Sequence, residues 1–370
     1  MKVFYGGRRV GAALAASATF ALLSGLLGGC GQPKPDASGV AKASPTTTTD
    51  ATTTTRPPHK AKDVPVCPLT GAPPTGGAAV PHRAALAVKV ENLPQARPQW
   101  GLDKADIVFE EPVEGGITRF VAVYQCQDAA RIEPVRSGRL VDVQILEPLG
   151  KVLYAYAGAI QPVVDQVRAP GSLLEDVGVN EPYSESAYGR DPTRFAPHNL
   201  ETSTSALYKA AAAAKFAETP PLPIFDYSRR LPAGAKGVSA VHIDYPLDIT
   251  TWTWDSTTRR WLRSYSDTGL AMQGDNVQIS AANVVVMYVH EYPTPYVEDV
   301  NGVHENELTL TGSGTAWVFR NGAELGGKWE RPSLAGPATF VEDDGVKMTL
   351  APGDTWEELV PVGDRVTTSG

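Results

Sequence analysis

The segment Arg136-Ser137-Gly138-Arg139 carries the side chains best suited to chemistry in this sequence. Ser137 is a residue type that caps helices, and apolar residues follow it at helical spacing, so the pattern predicts a helix that begins at Ser137. Cations in the first turn of a helix oppose the helix dipole, and they are favoured there when an anion occupies the site. Guanidinium groups suit phosphate and carboxylate. The segment therefore predicts either an external anion or structural ion pairs to nearby acids.

His198 and Asn199 end a long polar loop and precede a helix predicted over Ser203–Phe216. An imidazole in this place can act as a general acid or base beside an anion, or it can simply make local hydrogen bonds. Ligands in mixed domains gather where loops and helix starts meet at the ends of strands. We therefore expect one concave surface, with at least one arginine free of internal carboxylates. The candidate ligand-binding residues are Glu114, Arg119, Arg136, Arg139, His198 and Asn199.

Three acidic residues precede this arginine segment at spacings of four: Asp106, Glu110 and Glu114. In one strand they would share a face, as an acid and base pair, a cation site or a solvated strand edge. His290-Glu291 and His304-Glu305 lack a second histidine at helical spacing. The sequence also lacks a glycine-rich phosphate loop and a nucleophile elbow. It predicts no metal and no cofactor.

The start of the chain indicates export. Basic residues are followed by an uncharged run from Val10 to Gly29 and then by Cys30, which is the pattern of a bacterial signal peptide. The ending Leu27-Gly28-Gly29-Cys30 resembles a lipobox, and this resemblance implies acylation of Cys30, with palmitate or a related chain, and removal of residues 1–29. The alternative is an uncleaved transmembrane anchor, but the many Gly, Ser and Ala residues make the run weakly apolar.

Residues 30–65 are rich in Thr and Pro and contain almost no large apolar side chain. Such a segment cannot bury enough surface to fold, so it predicts a disordered tether. The whole chain has a net charge of −8. Without the three basic residues of the leader and the tether's five basic and three acidic residues, residues 66–370 carry −13. That charge argues against nucleic acid as a partner.

Two cysteines remain besides Cys30, namely Cys67 and Cys126. Outside the cytoplasmic membrane they could form one disulfide, and the alternative is a pair of buried free thiols. Six tryptophans could either line a glycan-binding face or fill a small β core: Trp252, Trp254, Trp261, Trp317, Trp329 and Trp356.

Periodicity and turn residues divide the folded part in two. Residues 66–217 mix strands with helices, which predicts an α/β or α+β N-terminal domain. Within it, Gly115-Gly116 separates two apolar runs and predicts a hairpin. Residues 218–238 are rich in Pro and Gly and predict a linker. Residues 239–365 consist of short strands, with a hairpin at Asn321-Gly322, and predict a smaller, mainly antiparallel β C-terminal domain.

A set of short motifs runs through both predicted domains. In chain order they are ARPQWGL (96–102), ADIV (105–108), EGGITRF (114–120), RIEPVRSGR (131–139), PHNL (197–200), GTAW (314–317), Asn321-Gly322, Trp329 and PGDTW (352–356). Together they resemble the YerB-type bacterial lipoproteins over roughly residues 66–365. That family pairs an N-terminal domain of unknown function with a smaller C-terminal domain. The resemblance implies an exported lipoprotein and brings no established activity.

Two classes of function fit these observations. The first is a membrane-anchored lipoprotein on the extracytoplasmic face of the bacterial cell membrane, held by its N-terminal lipid, which binds a glycan, a lipid-linked precursor or a protein partner. The second is an envelope enzyme that acts on a phosphorylated or glycan substrate through Arg119, Arg136, Arg139 and His198. The sequence leaves open whether the protein catalyses a reaction.

Overall fold

The computed structural model describes residues 64–298 and 301–370. The predicted signal peptide, Cys30 and almost all of the tether lie outside the described residues. Contacts group the chain from Ala61 to Gly370 into one unit. Within the described segments, no helix combines the length and the apolar character needed to cross a membrane.

The strands are labelled in chain order. The first ten are β1 (Ala85–Glu91), β2 (Ile107–Pro112), β3 (Thr118–Tyr124), β4 (Val152–Ala155), β5 (Leu174–Asp176), β6 (Gly189–Arg190), β7 (Leu200–Glu201), β8 (Lys236–Gly237), β9 (Ala240–Tyr245) and β10 (Asp248–Asp255). The others are β11 (Arg260–Tyr265), β12 (Gly269–Leu270), β13 (Ser280–Ala281), β14 (Asn283–Val297), β15 (His304–Thr309), β16 (Gly312–Arg320), β17 (Ala323–Arg331), β18 (Thr339–Glu342), β19 (Thr355–Pro361) and β20 (Arg365–Ser369).

Helices are short. The α-helices are α1 (Leu140–Leu146), α2 (Gln161–Val167) and α3 (Thr204–Ala214). Single 3-10 turns occupy Thr75–Gly77, Pro94–Ala96, Leu102–Lys104, Glu114–Gly116, Glu147–Leu149 and Glu185–Ala187.

A large mixed sheet joins the two predicted domains. Its strand order is β18-β17-β16-β14-β19-β2-β3-β1-β4-β5, with β15 added to β14 and β8 added to β17. Strand β19, from the C-terminal part, runs parallel to β14 on one side and to β2 on the other. All seven residues of β19 are buried, as expected of a central strand covered on both faces.

A second sheet covers one face of the large one. Its order is β12-β11-β10-β9-β20, with β13 added to β11. Buried side chains of this sheet, such as Trp252 and Trp261, form one core with Phe120 and Trp356 of the large sheet and with helix α3. Helices α1 and α2 cover the opposite face of the large sheet and form a second core there.

The fold class is thus partly as predicted. The C-terminal part is mainly β, in agreement with the prediction. The N-terminal part is mainly β with three short helices and is not clearly α/β, because α1 and α2 contain only seven residues each and α3 contains eleven.

Several local predictions are confirmed. Strands β2 and β3 pair as a hairpin across the Gly115-Gly116 turn. Asn321 and Gly322 connect β16 to β17 with φ values of 51° and 71°, the left-handed geometry that two-residue hairpin turns need. Helix α3 begins at Thr204, and the Ser203 hydroxyl accepts a hydrogen bond from the Ala206 N–H at 3.2 Å.

Candidate functional site

Charged side chains occupy one end of the central strands, on the face covered by α1. Cross-strand pairing places Arg119 of β3 between Glu91 of β1 and Glu111 of β2. Strand alternation puts Lys89 on the same face as Glu91. All four residues are buried, although they lie in strands that are otherwise largely apolar. These strand ends form the floor of the candidate site.

Lys89 forms the deepest part of this floor. Its Nζ lies 2.7 Å from Asp142 Oδ1 of α1 and also contacts Glu111 Oε1, and all three side chains are fully buried. The Tyr154 hydroxyl donates to Asp142 Oδ2. Burial, reinforced by the charge of Asp142, raises the pKa of Glu111 well above its ordinary value even though Lys89 opposes the shift. The cluster ties α1 to the sheet beneath the site.

Glu114 binds two of the predicted arginines. Arg139 donates from Nε to Glu114 Oε2 at 2.8 Å and contacts Oε1 through Nη2. Arg119 approaches Glu114 Oε1 at 3.5 Å and donates from Nη1 to the Ser137 carbonyl at 3.1 Å. Burial would raise the pKa of Glu114, but the hydrogen bond and charge of Arg139, with the charge of Arg119, lower it below its ordinary value. Both guanidinium groups therefore have an internal carboxylate partner.

The prediction that Ser137 caps a helix is wrong. Its hydroxyl donates to the Ala157 carbonyl at 3.2 Å, and α1 begins three residues later, at Leu140. The N–H groups at this helix start already bind internal carboxylates, because Arg139 N donates to Asp142 Oδ2 at 2.7 Å and Leu140 N donates to Glu305 Oε1 at 2.6 Å. These two N–H groups at the start of α1 are therefore already bound and are not available to an external anion.

Arg136 and His198 meet at a shared carboxylate. Arg136 Nε lies 3.1 Å from Glu91 Oε1, and His198 Nδ1 lies 2.9 Å from Glu91 Oε2. Glu91 is buried, whereas the side chains of Arg136 and His198 each keep 21% of their surface exposed. The expectation that one of the three arginines is free of internal carboxylates is wrong, since each faces a glutamate. Arg136 is the most open of the three.

Asn199 does not line this surface. Its Nδ2 donates to the carbonyls of Asp191 and Arg194, each at 3.2 Å, and its Oδ1 accepts from Arg190 Nη1 at 2.8 Å. Asn199 instead fixes the loop that presents His198.

The three acids spaced by four do not share a face, because β2 is too short to contain them. Asp106 precedes β2 and accepts from the N–H groups of Gln125 and Cys126 at 2.6 and 2.8 Å. Glu110 points to the opposite face of the sheet, toward Arg263. Glu114 lies in the turn that follows β2.

Sequence analysis missed the acids that a distant hairpin supplies. Residues 288–298 and 301–309, which contain the outer part of β14 and all of β15, are called the β14–β15 arm. Glu298 of this arm lies 2.8 Å from Arg139 Nη2, and Glu305 accepts from Leu140 N. Burial raises the pKa of Glu305 to about 7 even though its hydrogen bond from Leu140 opposes the shift. Among the site residues that sequence analysis missed, Lys89 and Glu91 could have been noticed, because they are charged residues in the otherwise apolar strand β1.

The remaining candidate residues are also placed. Cys67 and Cys126 form a disulfide with a Cα–Cα distance of 5.9 Å. Four of the six tryptophans are buried in the cores, so most of them do not form a glycan-binding face. Across residues 64–298 and 301–370, no group of three or more His, Cys, Asp or Glu side chains is placed to hold a metal ion.

Comparison with known proteins identifies related chains. Residues 69–217 match the family model "Protein of unknown function (DUF3048) N-terminal domain", and residues 241–356 match the corresponding C-terminal domain. The chain is 28% identical over 297 residues to "Putative lipoprotein YerB" of Bacillus subtilis (strain 168), covering 78% of this chain and 85% of that protein. A crystal structure of YerB protein from Bacillus subtilis matches the fold with a TM-score of 0.69 and 24% identity, covering 82% of this chain and 99% of that chain.

Proposed function

Since this chain belongs to the DUF3048 family, with both of its domains present in order, we propose that it is a lipid-anchored extracytoplasmic protein that binds an anionic group of an envelope ligand beside Arg136 and His198. The family descriptions name no activity. The proposal therefore relies on the lipobox-like leader and on the geometry around Glu91.

The anchor is supported by the leader itself. Cys30 follows two glycines at the end of an uncharged run, and a lipoprotein peptidase needs small residues before an acceptor thiol. The name of the Bacillus subtilis relative also describes a lipoprotein.

The first test concerns the anchor. We expect Cys30→Ala to abolish incorporation of labelled palmitate and to leave the precursor uncut, because alanine has no thiol to accept the acyl chain. Gel mobility and metabolic labelling in the native host measure both effects. The double variant Cys67→Ala/Cys126→Ala is the matched control, since it removes the other two cysteines of the chain, keeps Cys30 and should leave labelling unchanged. Normal labelling and cleavage of the Cys30→Ala chain would refute the anchor.

The binding site depends chiefly on one observation, the meeting of Arg136 and His198 at the buried carboxylate of Glu91. This carboxylate fixes the inner edges of both side chains, while part of each remains in contact with solvent. A guanidinium and an imidazole held in this way can both donate to a phosphate or carboxylate. Because the two groups are positioned beforehand, binding costs little side-chain entropy.

The charges behind this pair also favour an anion. Burial, together with the positive charges of Arg139 and Arg136, lowers the pKa of Arg119 to about 10. The three guanidinium groups are therefore close enough to repel one another. Glu114 and Glu91 offset this repulsion only in part. An anion bound at the open edge of Arg136 would reduce it further.

The second test is the variant Arg136→Ala. We expect it to weaken binding of inorganic phosphate by the full chain at least tenfold, because a hydrogen bond to a charged group contributes roughly 1.5–3 kcal/mol. The free energy of unfolding should change by no more than about 1 kcal/mol, as for other partly exposed ion pairs. Calorimetric titration and urea unfolding measure the two quantities.

Arg229→Ala is the control for this test, because Arg229 is exposed and its side chain forms no hydrogen bond or ion pair with any described residue. It should leave phosphate binding unchanged. Equal binding by both variants, or a large loss of stability with binding retained in Arg136→Ala, would show that Arg136 only supports the scaffold.

An envelope enzyme is the second candidate, and the His198–Glu91 contact favours it. A carboxylate at 2.9 Å from Nδ1 fixes the imidazole so that Nε2 can exchange a proton with a substrate. Turnover of a chromogenic phosphate monoester by the full chain, lost in His198→Gln while phosphate binding persists, would favour catalysis. Binding without turnover would favour the first candidate.

A further inference from the structure

A cleft opens where the β14–β15 arm leaves the large sheet. Strand β14 pairs with β16 as far as Met287 and Ala316, and from His290 onward it pairs with β15 instead. Residues 312–315 of β16 consequently pair with β17 alone. The resulting cleft has a volume of about 610 Å³, which is within the range of small-molecule sites.

Tyr288 and Trp329 of the lining donate to backbone carbonyls, but six other polar side chains of this cleft have no internal partner. Within the described chain, none of the following forms a side-chain hydrogen bond or ion pair: His290, Thr309, Thr311, Ser313, Thr315 and Asp364. Asp364 Oδ2 is also shielded from solvent. Shielded polar atoms normally have a partner, so Asp364 Oδ2 can accept a hydrogen bond from a ligand in the cleft. The hydroxyl groups beside it are free to bind the same ligand in exchange for water.

An aromatic wall stands beside these polar groups. Tyr288 is half-buried, lines the cleft, and packs edge to face on Trp317 with ring centroids 5.6 Å apart. Trp329 reaches the cleft beneath Gly314, where a Cβ would lie only 2.5 Å from its Nε1. Its Nε1 donates to the Tyr288 carbonyl at 2.8 Å, which fixes the indole. The wall offers a flat apolar surface next to hydroxyl and carboxylate groups.

The charge of the cleft excludes the ligands of the Arg136 site. Among the described residues that line it, the ionisable side chains are those of Tyr288, His290 and Asp364, and none is an arginine or lysine. Burial and then the charge of Asp244 raise the pKa of Asp364, which indicates an acidic neighbourhood. Without an arginine or lysine, the cleft has no fixed positive charge for a phosphate or carboxylate.

We propose that this cleft is a second binding site, separate from the anion site, and that it takes a neutral saccharide of one or two rings. The apolar face of a sugar ring would pack on Tyr288, and its hydroxyl groups would donate to Asp364 and exchange hydrogen bonds with Thr311, Ser313 and Thr315. A neutral, hydroxyl-rich ligand satisfies all the unpaired groups at once, and an anionic ligand would meet Asp364.

The test uses the full chain in a detergent without sugar groups. Maltose, cellobiose and N,N′-diacetylchitobiose serve as probes in saturation-transfer NMR and calorimetry. We expect at least one of them to bind saturably with a dissociation constant below about 10 mM. Asp364→Asn should weaken that binding about tenfold, because it removes a charged acceptor. Asp343→Asn, at an exposed turn outside the cleft, should not change it.

A steric variant keeps the proposal testable if Asp364→Asn alters the fold. Ser313 is exposed on β16 and lines the cleft, so the larger side chain of Ser313→Phe should block the cleft without disturbing the core. Circular dichroism checks that the fold is retained. Loss of binding in a folded Ser313→Phe chain supports the site. Absence of saturable binding for all three sugars, or equal affinities of Asp364→Asn and Asp343→Asn, overturns it. Phosphate binding by the same variants should remain normal, which separates this site from the anion site.

Discussion

Replacing Arg263 with methionine is expected to reduce the free energy of unfolding by roughly 3–5 kcal/mol, the cost of removing one partner from a buried ion pair. Arg263 lies 2.7 Å from Glu110 Oε2 and 3.1 Å from Glu358 Oε1, and all three side chains are fully buried. Its guanidinium group also lies 4.8–5.4 Å from the ring centroids of Phe120, Trp252, Tyr265 and Trp356.

The loss is expected to be mainly electrostatic. Burial, opposed by Arg263 and reinforced by Glu358, raises the pKa of Glu110 to about 8. Both carboxyl groups contact the guanidinium group of Arg263 between the two sheets, so Arg263 supplies the positive charge that offsets carboxylate charge there. Methionine has a similar volume and no charge, so it leaves Glu358 uncompensated between the two sheets.

The double variant Arg263→Met/Glu358→Gln tests this explanation, because glutamine removes the uncompensated charge. We expect urea unfolding of the full chain to show recovery of more than half of the lost stability. Arg365→Met, at the exposed first residue of β20, is the control and should change stability by less than about 0.5 kcal/mol. A single variant as stable as the parent, or a double variant no better than the single one, would contradict the explanation.

Removing the disulfide is expected to have an effect of similar size. Cys67 and Cys126 are 59 residues apart in the chain, and closing a loop of that length contributes about 4 kcal/mol in the chain-entropy model. The Cys126 backbone remains held without the bond, because its N–H donates to Asp106 Oδ2 at 2.8 Å. We therefore expect Cys67→Ala/Cys126→Ala to fold at 25 °C with a lower urea midpoint.

The measurement is best made in a Cys30→Ala background, where Cys67 and Cys126 are the only cysteines left of the three in the chain. Thiol labelling of the unfolded chain should be negligible before reduction and should reach two groups after it. Reductant should lower the urea midpoint of the parent to that of the double variant and leave the double variant unchanged. Two reactive thiols before reduction, or a parent midpoint insensitive to reductant, would show that the bond does not stabilise the protein.

Local features of the fold were predictable because they depend on residues a few positions apart. The start of helix α3, the Asn321-Gly322 turn and the β2–β3 hairpin each follow from the conformational preferences of a few neighbouring residues. The same reasoning failed at Ser137, because a distant carbonyl, that of Ala157, competes for its hydroxyl. Local preference therefore held only where no tertiary partner intervened.

The sequence predicted many of the residues of the candidate site, but it did not predict which of them pair with one another. Arg119, Arg139 and Glu114 do come together, as do Arg136 and His198, because they lie at strand ends and loop ends that the motifs indicate. Their partners were not predictable, since Glu298 and Glu305 come from the β14–β15 arm more than 150 positions away in the chain. Nothing in the local sequence of that arm indicates which arginine it will reach.

The sequence by itself predicts the export leader and the residues proposed to bind an anion, and it determined the types of several elements, because each is encoded in composition or short-range spacing. Only the tertiary structure decided that β19 lies between β14 and β2, that Arg263 bridges the two sheets, and that every site arginine faces a carboxylate. The physical reason is that the entropy of closing a loop grows only slowly with its length. Many distant strands and charges can therefore compete for the same partner, and the choice is made by packing of the whole core and by the cost of leaving a buried charge unpaired.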